Sequence, residues 1–164
     1  MDEEIEFLFR SNNYNEMIRE HPEKTAVTFE DWGGKNMASR IFKVLICDDS
    51  LLVREKLKES LKEIGEFAVA EAGNSQDSID TYRDFRPHLV FMDIVMPDKD
   101  GIEVLKDIIS FDDQAKVIIL SSSGTRSHLK KAIEAGAIDF IQKPWETSQL
   151  EAIVRRIENE SEGK

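Results

Sequence analysis

From Ile41 onward the chain alternates between two hydrophobic patterns. Runs with few polar residues, at 42–47, 67–70, 88–92, 117–120 and 138–141, are separated by stretches in which apolar residues recur every three or four positions. Runs of strand length without regular polar alternation mark strands covered on both faces. The intervening stripes mark helices with one apolar face: Val53, Leu57, Leu61 and Ile64; Ile79, Tyr82 and Phe85; Ile102, Leu105, Ile108 and Ile109; Leu129, Ala132 and Ile133; and Leu150, Ile153, Val154 and Ile157. Ser50, Asn74 or Ser75, and Thr147 offer N-caps, while Gly65, Pro87 and Gly136 supply stops. Five strand–helix units in succession predict an α/β domain: a parallel sheet with helices on both faces, because each crossover must be right-handed.

Residues 1–40 do not share this pattern. Ile5, Leu8, Phe9, Tyr14, Met17 and Ile18 recur at roughly helical spacing, so the spacing predicts a short amphipathic helix over about residues 3–20. His21-Pro22 stops it, and Gly33-Gly34 reads as a flexible break. The segment carries no chemical motif. Its apolar stripe is expected to dock on the rest of the chain or on a partner, the alternatives being a mobile tail or a miniature domain.

Composition narrows the function classes. Against 22 basic residues stand 33 acidic ones, a net charge of −11, which repels nucleic-acid phosphate and favours protein partners. A single cysteine, Cys47, excludes an internal disulfide and a cysteine zinc site, and its place in an apolar strand makes it an inert buried thiol. No segment reaches the ~18 apolar residues of a membrane span. The acidic Met1-Asp2-Glu3-Glu4 start lacks the basic region of a signal peptide, so the expected compartment is the cytoplasm.

The candidate chemistry lies where the apolar runs end. Asp48 and Asp49 follow the first strand, Asp93 the third, Ser121 the fourth and Lys143 the fifth. In an open parallel sheet these C-terminal tips share one edge, where ligands bind. Three carboxylates gathered there repel one another unless a cation sits among them, and hard oxygen donors with room for water suit Mg²⁺. With the Lys143 ammonium and the Ser121 hydroxyl, such a site can stabilise a transferring phosphoryl group, and a carboxylate such as Asp93 can attack phosphorus to form an acyl phosphate. A Gly-rich phosphate loop is missing from the sequence, so a nucleotide is not the obvious donor.

Asp48-Asp49, Asp93 with Met96-Pro97 and Asp100-Gly101 after it, Ser121 and Lys143-Pro144 resemble the receiver domain of CheY-like response regulators of bacterial two-component signalling. The resemblance covers residues 41–160, leaving 1–40 as an extension and 161–164 as a tail. It implies a flavodoxin-like, doubly wound five-stranded sheet of order 2-1-3-4-5. It further implies Asp93 as phosphoacceptor and Mg²⁺ held by Asp48, Asp49, Asp93 and the Val95 carbonyl. Ser121 becomes the switch hydroxyl, Phe140 the switch aromatic, and Lys143 the phosphate-binding lysine before a cis Pro144. The family's usual residue after Lys-Pro is Phe; here Trp145 stands there, beside the expected output face of the fourth helix, fifth strand and fifth helix. Val95 is apolar where some members have a polar group that orients attacking water. No output domain follows the last helix, so the expectation is a stand-alone receiver, not an enzyme acting on other substrates. Its donor is a histidine kinase, and it signals by changed binding to a downstream protein target, a motor component in a chemotaxis-type regulator. The alternative is a phosphorelay intermediate serving a histidine phosphotransfer protein. An aspartyl-phosphate phosphatase is disfavoured, since Val95 is not an acid.

Overall fold

A computed structural model describes residues 41–122 and 124–162, with side chains through Glu160. The readings placed on residues 1–40 lie outside the described residues. Five strands and five helices alternate: β1 (Phe42–Cys47), α1 (Leu51–Ile64), β2 (Phe67–Ala72), α2 (Ser75–Phe85), β3 (Leu89–Asp93), α3 (Gly101–Phe111), β4 (Val117–Ser121), α4 (Arg126–Ala135), β5 (Asp139–Gln142) and α5 (Thr147–Glu162). The strands form one parallel sheet in the order β2-β1-β3-β4-β5, a flavodoxin-like arrangement, as expected. No helix among the described residues is long and apolar enough to cross a membrane.

Successive strand residues point to opposite faces, so each apolar run feeds two cores. Val44, Ile46, Leu89, Phe91, Ile118 and Leu120 pack with Leu57 and Leu61 of α1 and Leu150, Val154 and Ile157 of α5. Leu45, Val90, Met92, Val117 and Ile119 pack on the other face with Tyr82 and Phe85 of α2, Leu105 and Ile108 of α3, and Ala132 of α4. Most of these side chains are fully buried; at ~1.5–3 kcal/mol for each large one, the two cores supply the main stabilisation. Burial on both sides is why the strands show no polar face in the sequence.

Helix starts follow the expected chemistry. The Ser50 hydroxyl accepts the Val53 N–H and the Asn74 side chain accepts the Asp77 N–H. At α5 the cap lies one residue before Thr147: the Glu146 N–H donates to the Gln149 side chain at 3.0 Å, half of a capping box. The larger departure is in α4. Of the expected stripe only Ala132 is buried, joined by Ala135, while Leu129 and Ile133 are exposed at 41% and 48%. The core-facing positions of α4 are thus two small side chains, which let a helix pack closely on its neighbours.

A half-buried histidine, His88, sits at the opposite edge from the strand tips. His88 stacks on Phe42 at a centroid distance of 4.9 Å, and its Nδ1 accepts the Lys43 N–H at 2.9 Å. Burial, reinforced by the Lys43 charge, pulls its pKa down to about 4. Because the unfolded chain binds this proton more readily, the stabilising contribution is complete above pH ~6.5 and is lost as pH falls from there through about 4. Allowing for partial solvent screening, it amounts to about 1–2 kcal/mol. His88→Asn, which keeps an acceptor but cannot titrate, is expected to flatten the pH dependence of urea unfolding between pH 6.5 and 4. Equal slopes in the two proteins would contradict this.

Candidate functional site

β1 delivers Asp48 to the sheet edge. Its N–H continues the ladder to the Ala72 carbonyl at 3.0 Å, and its side chain is almost fully buried. Asp48 Oδ1 accepts the Ser50 N–H at 2.9 Å, and Oδ2 accepts from Lys143 Nζ at 2.7 Å. Asp49, two residues beyond the strand, is exposed. Asp93 closes β3 and is buried, its Oδ1 3.4 Å from Lys143 Nζ. Burial raises the Asp93 pKa and the nearby Asp48 adds to this, while the Lys143 ammonium and the Val95 N–H oppose it.

Pleat parity explains why these groups meet. Asp48 continues the face of Val44 and Ile46, Asp93 that of Leu89 and Phe91, and Lys143 that of Ile141, all on the side of α1 and α5. The Asp48 and Lys143 side chains, 95 positions apart in sequence, thereby form an ion pair. Ser121 is buried at the end of β4, one residue beyond Leu120, the partner of Asp93. Its carbonyl accepts the Lys143 N–H at 2.8 Å, and the Lys143–Pro144 bond is cis, as expected. Phe140, opposite Ile119, is half-buried against the α2–α4 core.

Trp145 is half-buried beside α5. It packs in the α1/α5 core and its indole N–H donates to Ser60 of α1 at 3.0 Å, so it lies on the other side of the sheet from Phe140. Its partner on α1 is 85 positions away in sequence, which local pattern cannot reveal.

The loop after β3 is held at several points. The Asp98 carboxylate accepts the Ser75 N–H at 2.9 Å; hydrogen bonds from the Ser75 side chain and backbone hold its pKa down at about 2. Asp100 caps α3 through the Ile102 N–H, and Lys99 pairs with Asp107. Gly101 donates its N–H to the Ile94 carbonyl at 2.6 Å. Sequence reasoning missed Asp98 as a structural anchor; its place after Met96-Pro97 was the only signal. It also missed Arg54, whose Nη1 donates to the Asp48 carbonyl at 2.7 Å, because a basic residue on a solvated helix reads as surface.

Asp48, Asp49 and Asp93 each offer an oxygen, and these three atoms lie within 4.8 Å of one another. Three carboxylates against the one ammonium of Lys143 leave two negative charges to be offset when all are ionised. An all-oxygen donor set with one exposed member fits a small, hard divalent cation that keeps some of its water, as Mg²⁺ does.

Comparison with known proteins agrees with this geometry. The family model for the response regulator receiver domain matches residues 44–155. Protein CcdB of Bacillus subtilis is 44% identical over 69% of this chain and 95% of its own length. Chemotaxis protein CheY of Thermotoga maritima is 36% identical over 70% of this chain and 96% of its own. Among solved structures, the complex of CheX, CheY, BeF₃ and Mg²⁺ from Borrelia burgdorferi superposes with a TM-score of 0.66 at 30% identity, covering 71% of this chain and 88% of that one. Matched by the family model over most of its length, and with the strand order of a flavodoxin-like receiver, this chain belongs to the response regulator receiver family.

Proposed function

We propose that this chain is a cytoplasmic response regulator of the chemotaxis type, accepting a phosphoryl group on Asp93 from a histidine kinase and signalling through changed protein binding. The observation that carries the reading is the cluster of three carboxylates within 4.8 Å, bridged by Lys143 at 2.7 and 3.4 Å. Receiver domains bind Mg²⁺ at an acidic pocket of this kind. Here Asp48, Asp49, Asp93 and the Val95 carbonyl are the groups to hold it. Bound there, the ion neutralises charge on the phosphoryl oxygens.

An Asp93 oxygen forms the new bond to phosphorus as the nitrogen–phosphorus bond of a phosphohistidine breaks, the electron pair leaving with the imidazole. Lys143, already 3.4 Å from Asp93, follows the added negative charge, and Ser121 donates its hydroxyl to a phosphoryl oxygen. The resulting shift gives Phe140 room to turn inward and remodels the face of α4, β5 and α5, where Leu129 and Ile133 stand exposed. Chemotaxis regulators among the relatives, each covered over most of its length, favour a motor-type protein target over a phosphotransfer protein.

Incubation with a small acyl phosphate should label the protein only when Mg²⁺ is present; labelling that persists in excess chelator would overturn the reading. Mixing the labelled protein with candidate targets then separates binding from onward transfer. Ser121→Ala is expected to accept the group yet bind its target at least several-fold more weakly, and undiminished phosphorylation-dependent binding would remove Ser121 from the mechanism. Val95 is 68% exposed and its isopropyl group cannot orient water. Val95→Asn should therefore shorten the acyl phosphate's lifetime several-fold, and equal lifetimes would exclude this position from control.

A further inference from the structure

Two residues outside the family motif act on the acidic pocket from behind. We infer that Arg54, locked by Glu71, is a positioning residue: it fixes the peptide plane between Asp48 and Asp49 and so aims the Asp49 carboxylate into the cluster. The inference rests on the reading of that cluster as a Mg²⁺ site.

Asp48 stands just past the β1–β2 ladder. Its N–H reaches the Ala72 carbonyl, but its own carbonyl has no strand partner left, and a buried carbonyl needs a donor. Arg54 Nη1 supplies it at 2.7 Å. The same guanidinium donates through Nε to Glu71 Oε1 at 3.1 Å, and Glu71 Oε2 accepts from Lys58 at 3.0 Å. The Arg54 and Glu71 side chains are only 17% and 19% exposed, so both are largely withdrawn from solvent competition. A planar fork with two separate N–H groups on two fixed acceptors defines an orientation that a lysine ammonium cannot reproduce. The turn between β2 and α2 closes the arrangement: a Cβ at Gly73 would lie 3.3 Å from Arg54 Nη1 and 4.0 Å from the Asp48 carbonyl.

What this does is clearest at Asp49. Asp48 is oriented by Ser50 and Lys143, and Asp93 by its strand and Lys143. The Asp49 carboxylate is exposed and has no hydrogen-bond donor among the described residues. Its direction is set by the backbone alone, and the carbonyl that Arg54 holds belongs to the peptide joining Asp48 to Asp49.

The test uses the full chain, Arg54→Lys and Glu71→Gln, with Mg²⁺ binding measured by calorimetry and thermal unfolding followed without Mg²⁺. Arg54→Lys is expected to weaken Mg²⁺ binding about ten-fold. Glu71→Gln, which keeps an oxygen for Nε, should weaken it less. With a small acyl phosphate as donor, the Mg²⁺ concentration for half-maximal labelling should rise in Arg54→Lys while the rate at saturating Mg²⁺ is retained. Wild-type affinity in Arg54→Lys would overturn the inference. So would a loss of affinity in that variant that only tracks a fall in its melting temperature while Glu71→Gln binds as the wild type does. If the unsubstituted protein bound no Mg²⁺, the reading of the pocket itself would fall, a distinct result.

Discussion

Asp93→Asn is expected to reduce phosphoryl uptake from a kinase or a small acyl phosphate to background, while leaving the protein at least as stable at neutral pH. The amide is nearly isosteric, but its oxygen carries no full negative charge to attack phosphorus. The stability half follows from the electrostatics. Burial and Asp48 raise the Asp93 pKa, so holding the ionised carboxylate in the fold is unfavourable above its titration range. Replacing it with a neutral group removes that penalty. Lys143 does not lose its closest partner, since Asp48 Oδ2 remains at 2.7 Å. Normal labelling of the variant would mean that Asp48 or Asp49 is the acceptor. Loss of labelling together with a lower melting temperature would show that Asp93 is needed for folding, and the variant could then not identify the acceptor.

Gly101→Ala should cause the largest loss of stability of any single methyl addition near the site. A Cβ there would stand 2.0 Å from the Asp93 carbonyl oxygen and 2.9 Å from both the Asp93 carbonyl carbon and Ile94 Cα. These are backbone atoms of β3 and the loop after it, so no rotamer change relieves the clash. Overpacking a core typically costs ~1–3 kcal/mol, and a rigid neighbour puts this case at or above the upper end. That corresponds to a fall of about 10 °C or more in melting temperature. The first turn of α3 must also move away from β3, breaking the 2.6 Å bond from the Gly101 N–H to the Ile94 carbonyl and displacing Asp93. Mg²⁺ binding should weaken in parallel. Gly124→Ala serves as the control: its nearest neighbours, at 2.8–3.2 Å, are the far atoms of the Gln142 side chain, which can swing aside. Comparable melting temperatures for the two variants would show that β3 and α3 separate easily.

The domain plan was legible because each strand is buried on both faces and so appears as an apolar run, while each helix carries an apolar stripe. Asp48, Asp93, Ser121 and Lys143 were legible for a related reason: a polar residue that ends an apolar run marks a strand tip, and a parallel sheet places all its C-terminal tips on one edge. The strand boundaries moved by one or two residues, as at β2, which continues through Glu71 and Ala72. Glu71 reads as a strand terminator in sequence but is an intermediate-burial ladder residue opposite Ile46.

The rotation of α4 was not legible. Spacing alone allowed Leu129 and Ile133 to join Ala132 on the inner face, but the choice depends on how the helix packs on its neighbours, and there Ala132 and Ala135 are the buried pair. The hydrogen bond of Trp145 was not legible because its partner, Ser60, lies on α1. The role of Arg54 was missed because a guanidinium on an exposed-looking helix gives no sign that it reaches the Asp48 carbonyl.

What the sequence by itself determined is therefore the order of elements, the edge on which the chemistry gathers and the identity of the residues there, all of which follow from periodicity and strand direction. Only the tertiary structure decided how those groups are paired and aimed: Lys143 against Asp48 as well as Asp93, Asp98 on the start of α2, and Arg54 behind the aspartate pair. Such pairings join residues brought together by strand order and pleat parity across long stretches of chain, and a side chain's reach across that distance leaves no periodic trace in sequence.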